Sequence, residues 1–138
     1  QGCEKWTQNS HCQQKGEDQI PDLKHLPRLQ WDEWMKTLAT FKYAVHLMPT
    51  VAAGTFSLNC AYFGIPCIGN VELDTQLTFF PDISVDVNNI TDARSLAEIL
   101  CTNPVVYDSI SKQAMELCRE SYHVNKQKWI SHIENTIL

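Results

Sequence analysis

The alternation of apolar and polar positions between Tyr43 and Gln76 organises the whole chain. Residues 43–47 form a short run of strand-forming side chains, which Met48-Pro49-Thr50 ends because proline has no N–H to give a ladder. Gly54-Thr55 then opens a segment, residues 56–63, that is apolar on nearly every side, the pattern of a helix buried on more than one face. Gly64 stops it, residues 65–68 predict a second strand, and Gly69-Asn70 turns the chain into a polar loop, Val71-Glu72-Leu73-Asp74-Thr75-Gln76. The pattern is a βαβ unit followed by a loop of ligand size.

The flanking stretches read as support. Ile83, Val85 and Val87 alternate with Ser84 and Asp86 after the Pro81-Asp82 turn, a strand signature. Residues 88–91 supply a cap for a helix carrying Ala93, Leu96, Ala97 and Leu100 on one face. Asn103-Pro104 starts another, whose stripe is Tyr107, Ile110, Ala114, Leu117 and Tyr122, with Asp108, Lys112 and Glu116 on the solvated side. Trp129, Ile130, Ile133 and Ile137 predict a last, separate amphipathic helix. Upstream, residues 1–19 are polar and aperiodic, residues 22–26 predict a short strand, and residues 31–41 a helix with a Trp31, Trp34, Met35 and Leu38 stripe that reads as core. The expected class is α/β: a Rossmann-like three-layer α/β/α arrangement with a small parallel sheet of three to four strands.

This topology carries the functional expectation. Ligands of open parallel sheets collect outside the carboxyl ends of the strands, which places residues 48–54 and 69–76 on one rim. Free N–H groups at the first turn of the 55–63 helix, with the positive end of its dipole, suit a phosphate, and Gly54 lets one approach closely. Thr55 and Ser57 add hydroxyl groups, while Asp74 and Gln76 can pair with the hydroxyls of a sugar. A phosphate seat beside a hydroxyl reader fits a nucleotide sugar.

Composition removes several alternatives. With 11 Lys and Arg against 16 Asp and Glu, the net charge of −5 and the lack of a basic cluster argue against a nucleic-acid groove or a polybasic membrane patch. No apolar run approaches the roughly 20 residues of a spanning helix, and the first residues do not read as a signal peptide, so a soluble, cytoplasmic protein is expected. The cysteines at 3, 12, 60, 67, 101 and 118 form no CxxC pair. Cys60 and Cys67 read as small core hydrophobes, Cys101 and Cys118 as packing residues, and Cys3 with Cys12 as the one pair open to bridging. Asn89-Ile90-Thr91 is a formal glycosylation sequon that overlaps a helix start and reads as coincidence. His25 and His46 read as hydrogen-bonded filler near strand ends, although His46 stands close to the rim. Ser57 lacks a G-x-S-x-G context and no metal-ligand spacing is present, so no catalytic residue, metal site or cofactor is assigned.

Ala53-Gly54-Thr55, Gly64-Ile65-Pro66 after a small-residue helix, Asp74-Thr75-Gln76 and Phe80-Pro81-Asp82 together resemble the C-terminal half of a glycosyltransferase of the B-type fold (GT-B). The helical tail, residues 91–101, 107–122 and 129–138, is similar to the closing helices of that domain. The resemblance implies a donor-binding domain over residues 25–138, with residues 1–24 as an N-terminal arm or the remnant of a truncated domain start. It implies that Gly54, Thr55, Phe56 and Ser57 face the donor diphosphate, and that Asn59, Asp74, Thr75 and Gln76 face its ribose and sugar. Asn59, with Cys60 after it, stands where that family usually carries a glutamate, which leaves a ribose contact without charge. The expected partners are a nucleotide sugar, as donor substrate rather than cofactor, and a missing N-terminal acceptor domain. The chain therefore reads as a fragment that does not transfer a sugar alone, with self-association expected through an exposed sheet edge and residues 1–29 either covering that edge or pairing with their counterpart in a second copy. A non-catalytic small α/β binding module with a degenerate donor site shares these features. A response-regulator or flavodoxin-like domain predicts an acidic cluster or a flavin-phosphate loop, and neither is present.

Overall fold

The structure, a computed structural model, describes residues 24, 26–49 and 55–137. The chain divides into two units, Gln1–Thr37 and Leu38–Leu138. Described residues of the first are Lys24, the stretch 26–30, which has no regular structure, and most of helix α1, Trp31–Leu38. Lys24 and Leu26 carry no regular structure, and the rest of the expected 22–26 strand lies outside the described residues. Helix α1 opens with Asp32 and Glu33 in its first turn, favourable against the dipole, and ends at Leu38, three residues short of the expected Phe41. Trp31 is 61% exposed, so the expected apolar stripe is not uniformly core.

The second unit is mixed α/β and mostly helical. Its described elements are β1 (Ala44–His46), α2 (Phe56–Phe63), β2 (Cys67–Asn70), α3 (Asp74–Phe79), a 3-10 turn (Pro81–Ile83), β3 (Ser84–Val85), α4 (Ile90–Thr102) and α5 (Pro104–Ile137). The strands form a three-stranded parallel sheet in the order β1-β2-β3. Ala44 is in register with Cys67 and His46 with Gly69, while Gly69 pairs with Ser84 and Asn70 with Val85. β2 is buried along its whole length, as the central strand of such a sheet must be.

Local chemistry explains the helix ends. Gly64 terminates α2 in the left-handed region, φ 66°, with its N–H donated to Ala61 and Cys60 carbonyls, a conformation that an L side chain adopts only under strain. Ser111 of α5 donates its hydroxyl to the Gly64 carbonyl at 2.6 Å and fastens the last helix to this cap. The Tyr107 hydroxyl donates to the Lys42 carbonyl at 3.0 Å, fastening α5 near β1 as well. Asn89 caps α4, accepting the Asp92 N–H and donating to the Asp92 carboxylate, so the sequon asparagine is occupied by its own helix. Asn103 caps α5 through the Val106 N–H, with Pro104 in the first turn.

Two expectations need correction. Residues 74–79 form a helix, not a loop. The tail is one helix of 34 residues rather than two, because the intervening His-Val-Asn-Lys-Gln-Lys stretch, residues 123–128, has neither glycine nor proline to stop propagation. Of the cysteines, Cys60 and Cys67 are buried as expected and Cys118 is half-buried, but Cys101 is exposed; all four are free. No helix among the described residues is long and apolar enough to cross a membrane.

Candidate functional site

Because the three strands run in the same direction, His46, Asn70 and Val85 end at one rim, and the parallel crossover requires α2 to begin there too. Asn70 joins the loops that follow β1 and β2. Its side chain is fully buried, donates Nδ2 to the Met48 carbonyl at 3.0 Å, and accepts the Glu72 N–H at 3.0 Å. The expected shared rim of residues 48–54 and 69–76 is therefore present at Met48, Asn70 and Glu72. Gly54 and residues 50–53 lie outside the described residues, as do His25, Cys3, Cys12 and the 1–19 arm.

Thr55 stands exposed at the start of α2, and its side chain makes no capping bond. Phe56 is half-buried, with its ring centroid 5.2 Å from that of His46. Ser57 points inward. It is 1% exposed and donates its hydroxyl to Oε1 of Gln76 at 2.7 Å. Gln76 is itself completely buried and donates Nε2 to the Cys67 carbonyl at 2.8 Å. Gly69 makes room for it, since a Cβ at that position would overlap the Gln76 amide. The expectation that Gln76 reads a sugar from a loop is thus corrected: both ends of its amide are spent on bracing α2 and α3 against β2. Ser57, expected at the phosphate, is the other half of that brace. Asn59 is also buried, 6% exposed, so its side chain sits inside the second unit and not on an open ribose surface. Asp74 is exposed at the first turn of α3, with Thr75 half-buried beside it.

Burial lowers the pKa of His46, which keeps the imidazole neutral at pH 7, and its Nδ1 is buried without a hydrogen-bond partner among the described residues. Deeper in, a hydrogen bond with the Cys60 thiol, together with burial, pushes the Cys67 thiol up, away from the thiolate form a nucleophile needs. No cluster of three metal-ligating side chains occurs among the described residues.

No family model, curated protein or solved structure matches the chain. The chemistry of the rim therefore rests on the exposed groups it presents, the Thr55 hydroxyl and the Asp74 carboxylate. Sequence reasoning missed Asn70, which it took for a turn residue, and the spacing Leu73, Gln76, Phe79, Phe80, which is a helical stripe with a glutamine in an apolar slot.

Proposed function

We propose that this chain is the nucleotide-sugar-binding half of a GT-B glycosyltransferase, with a Rossmann-like layered arrangement, acting on an acceptor only together with an N-terminal domain. The observation that carries the reading is the Asn70 bridge, which holds the loops after β1 and β2 on one rim where α2 begins. A diphosphate would take the N–H groups at Thr55, Phe56 and Ser57, with Gly54 as the close-approach position. Of the groups expected to face ribose and sugar, Asp74 is exposed to do so.

The Ser57–Gln76 brace supports a second reading, a non-catalytic α/β binding module with a reduced donor site, because two polar groups that could serve a ligand are already paired. Amide NMR during titration with uridine and guanosine diphosphates tests both. Donor binding requires shifts at residues 54–57, weakened by Thr55→Ala and abolished by Gly54→Val, with the corresponding nucleotide sugar binding more tightly than the diphosphate and losing that margin in Asp74→Ala. Diphosphate shifts with no gain from the sugar identify the reduced module. Shifts confined to other residues, or none, reject the rim as a phosphate seat.

A further inference from the structure

We propose that the distal part of α5 is a self-association surface, on which the same helix of a second copy of this chain docks antiparallel. Every residue from Tyr122 to Thr136 is exposed, so this part of α5 has no described element packed over it. At about 100° per residue, Tyr122, Trp129 and Ile133 fall within about 40° of one another and Ile130 lies at their margin. Tyr122 and Trp129 are 62% and 67% exposed. An isolated helical segment of this length is marginal in water, and one that carries a large apolar face is stabilised by covering it.

The charges on this face select the occupant. At the same spacing Lys126 falls within the face, between Ile133 and Ile130, and Glu134 lies at its edge beyond Ile130; neither makes an ion pair among the described residues. A twofold axis across the helix between Trp129 and Ile130 sets Trp129 of each copy against Ile130 of the other. The same operation brings each Lys126 beside the other copy's Ile133 and Glu134, so that its stem covers apolar surface while its ammonium reaches the carboxylate, twice per dimer. A parallel pairing instead opposes Lys126 to itself, which disfavours that register. An anionic bilayer is a poorer occupant, since the edge of the face that would meet the headgroups carries Glu134 and the face itself would carry Lys126 into the acyl region.

Sedimentation equilibrium of the full chain over a concentration series tests the proposal. The mass should rise from one to two chains as concentration increases. Lys126→Glu and Glu134→Lys should each weaken the dimer about tenfold, because both symmetry-related contacts become repulsive. The double variant K126E/E134K restores the attraction in reversed sense and should regain the dimer. Ile133→Asp should hold the chain monomeric with an unchanged unfolding midpoint at low concentration, since Ile133 contributes nothing to the monomer core. A monomeric mass throughout overturns the proposal, as does a dimer indifferent to Ile133→Asp or one that the charge swap fails to restore.

Discussion

Two residues, Asp74 and Gln76, stand two positions apart in one helix and do different work. Gln76 bonds Ser57 and the Cys67 carbonyl inside the second unit, so Gln76→Leu strands a hydroxyl and a backbone carbonyl together; a loss of about 1–3 kcal/mol is expected from urea unfolding. Gly69→Ala should cost a similar amount by driving a methyl into the same amide. Asp74→Ala should stay within about 0.5 kcal/mol, because the carboxylate is exposed. A ligand role for Gln76 would reverse this order, leaving stability unchanged and affinity reduced. His46 supplies a pH dependence. Its folded pKa is lowered by burial, so as pH falls through about 6.5 the unfolded chain takes the proton first and stability is lost. Urea midpoints at pH 8 and pH 5 should differ more in the wild type than in His46→Phe, which keeps a ring against Phe56 and removes the titration; equal differences would show that His46 does not couple to folding.

At the scale of elements, the sequence pattern was legible wherever burial and hydrophobicity coincide. Residues 56–63 are apolar on nearly every side and form the predicted α2, ended by Gly64 as glycine chemistry requires; the Asn89 and Asn103 caps are equally readable because they act within four residues of themselves. Helix α3 was hidden because its inward positions include a glutamine, so the stripe of Leu73, Gln76, Phe79 and Phe80 is interrupted at the one residue whose burial depends on partners elsewhere in the chain, Ser57 and Cys67. The rim bridge was hidden for the same reason, since Asn70 finds Met48 only after β1 and β2 are paired. The end of helix 107–122 was misplaced because an apolar stripe records packing, whereas a helix continues until something stops it. That distinction gives a test at this scale. Lys128→Pro should remove much of the far-UV helical signal of distal α5 while leaving the urea midpoint of a monomeric sample nearly unchanged, because the residues around it are all exposed and none belongs to the buried core. A midpoint that falls with the signal would mean that the distal helix is coupled to the core.

For the whole molecule, two surfaces compete as routes to self-association: the edges of the sheet and the distal face of α5. Among the described residues, a sheet of order β1-β2-β3 leaves β1 and β3 each with a partner strand on one side, and unpaired N–H and C=O groups at such an edge are a template for another chain. The edges here are three and two residues long, and a short edge offers few bonds to a docking strand, which is one of the ways proteins blunt that hazard. The exposed run on α5 extends over four turns and combines aromatic, aliphatic and charged groups in a self-complementary order. Association should therefore follow the helix and not the strand. Val45, 61% exposed in the middle of β1, gives the control: Val45→Lys places a charge on the outermost strand without touching α5, and should leave the sedimentation mass of the full chain as it was, while Ile133→Asp reduces it to one copy. If Val45→Lys dissolves the dimer and Ile133→Asp does not, the sheet edge is the interface, and the apolar face of α5 is left for a different protein or domain to cover.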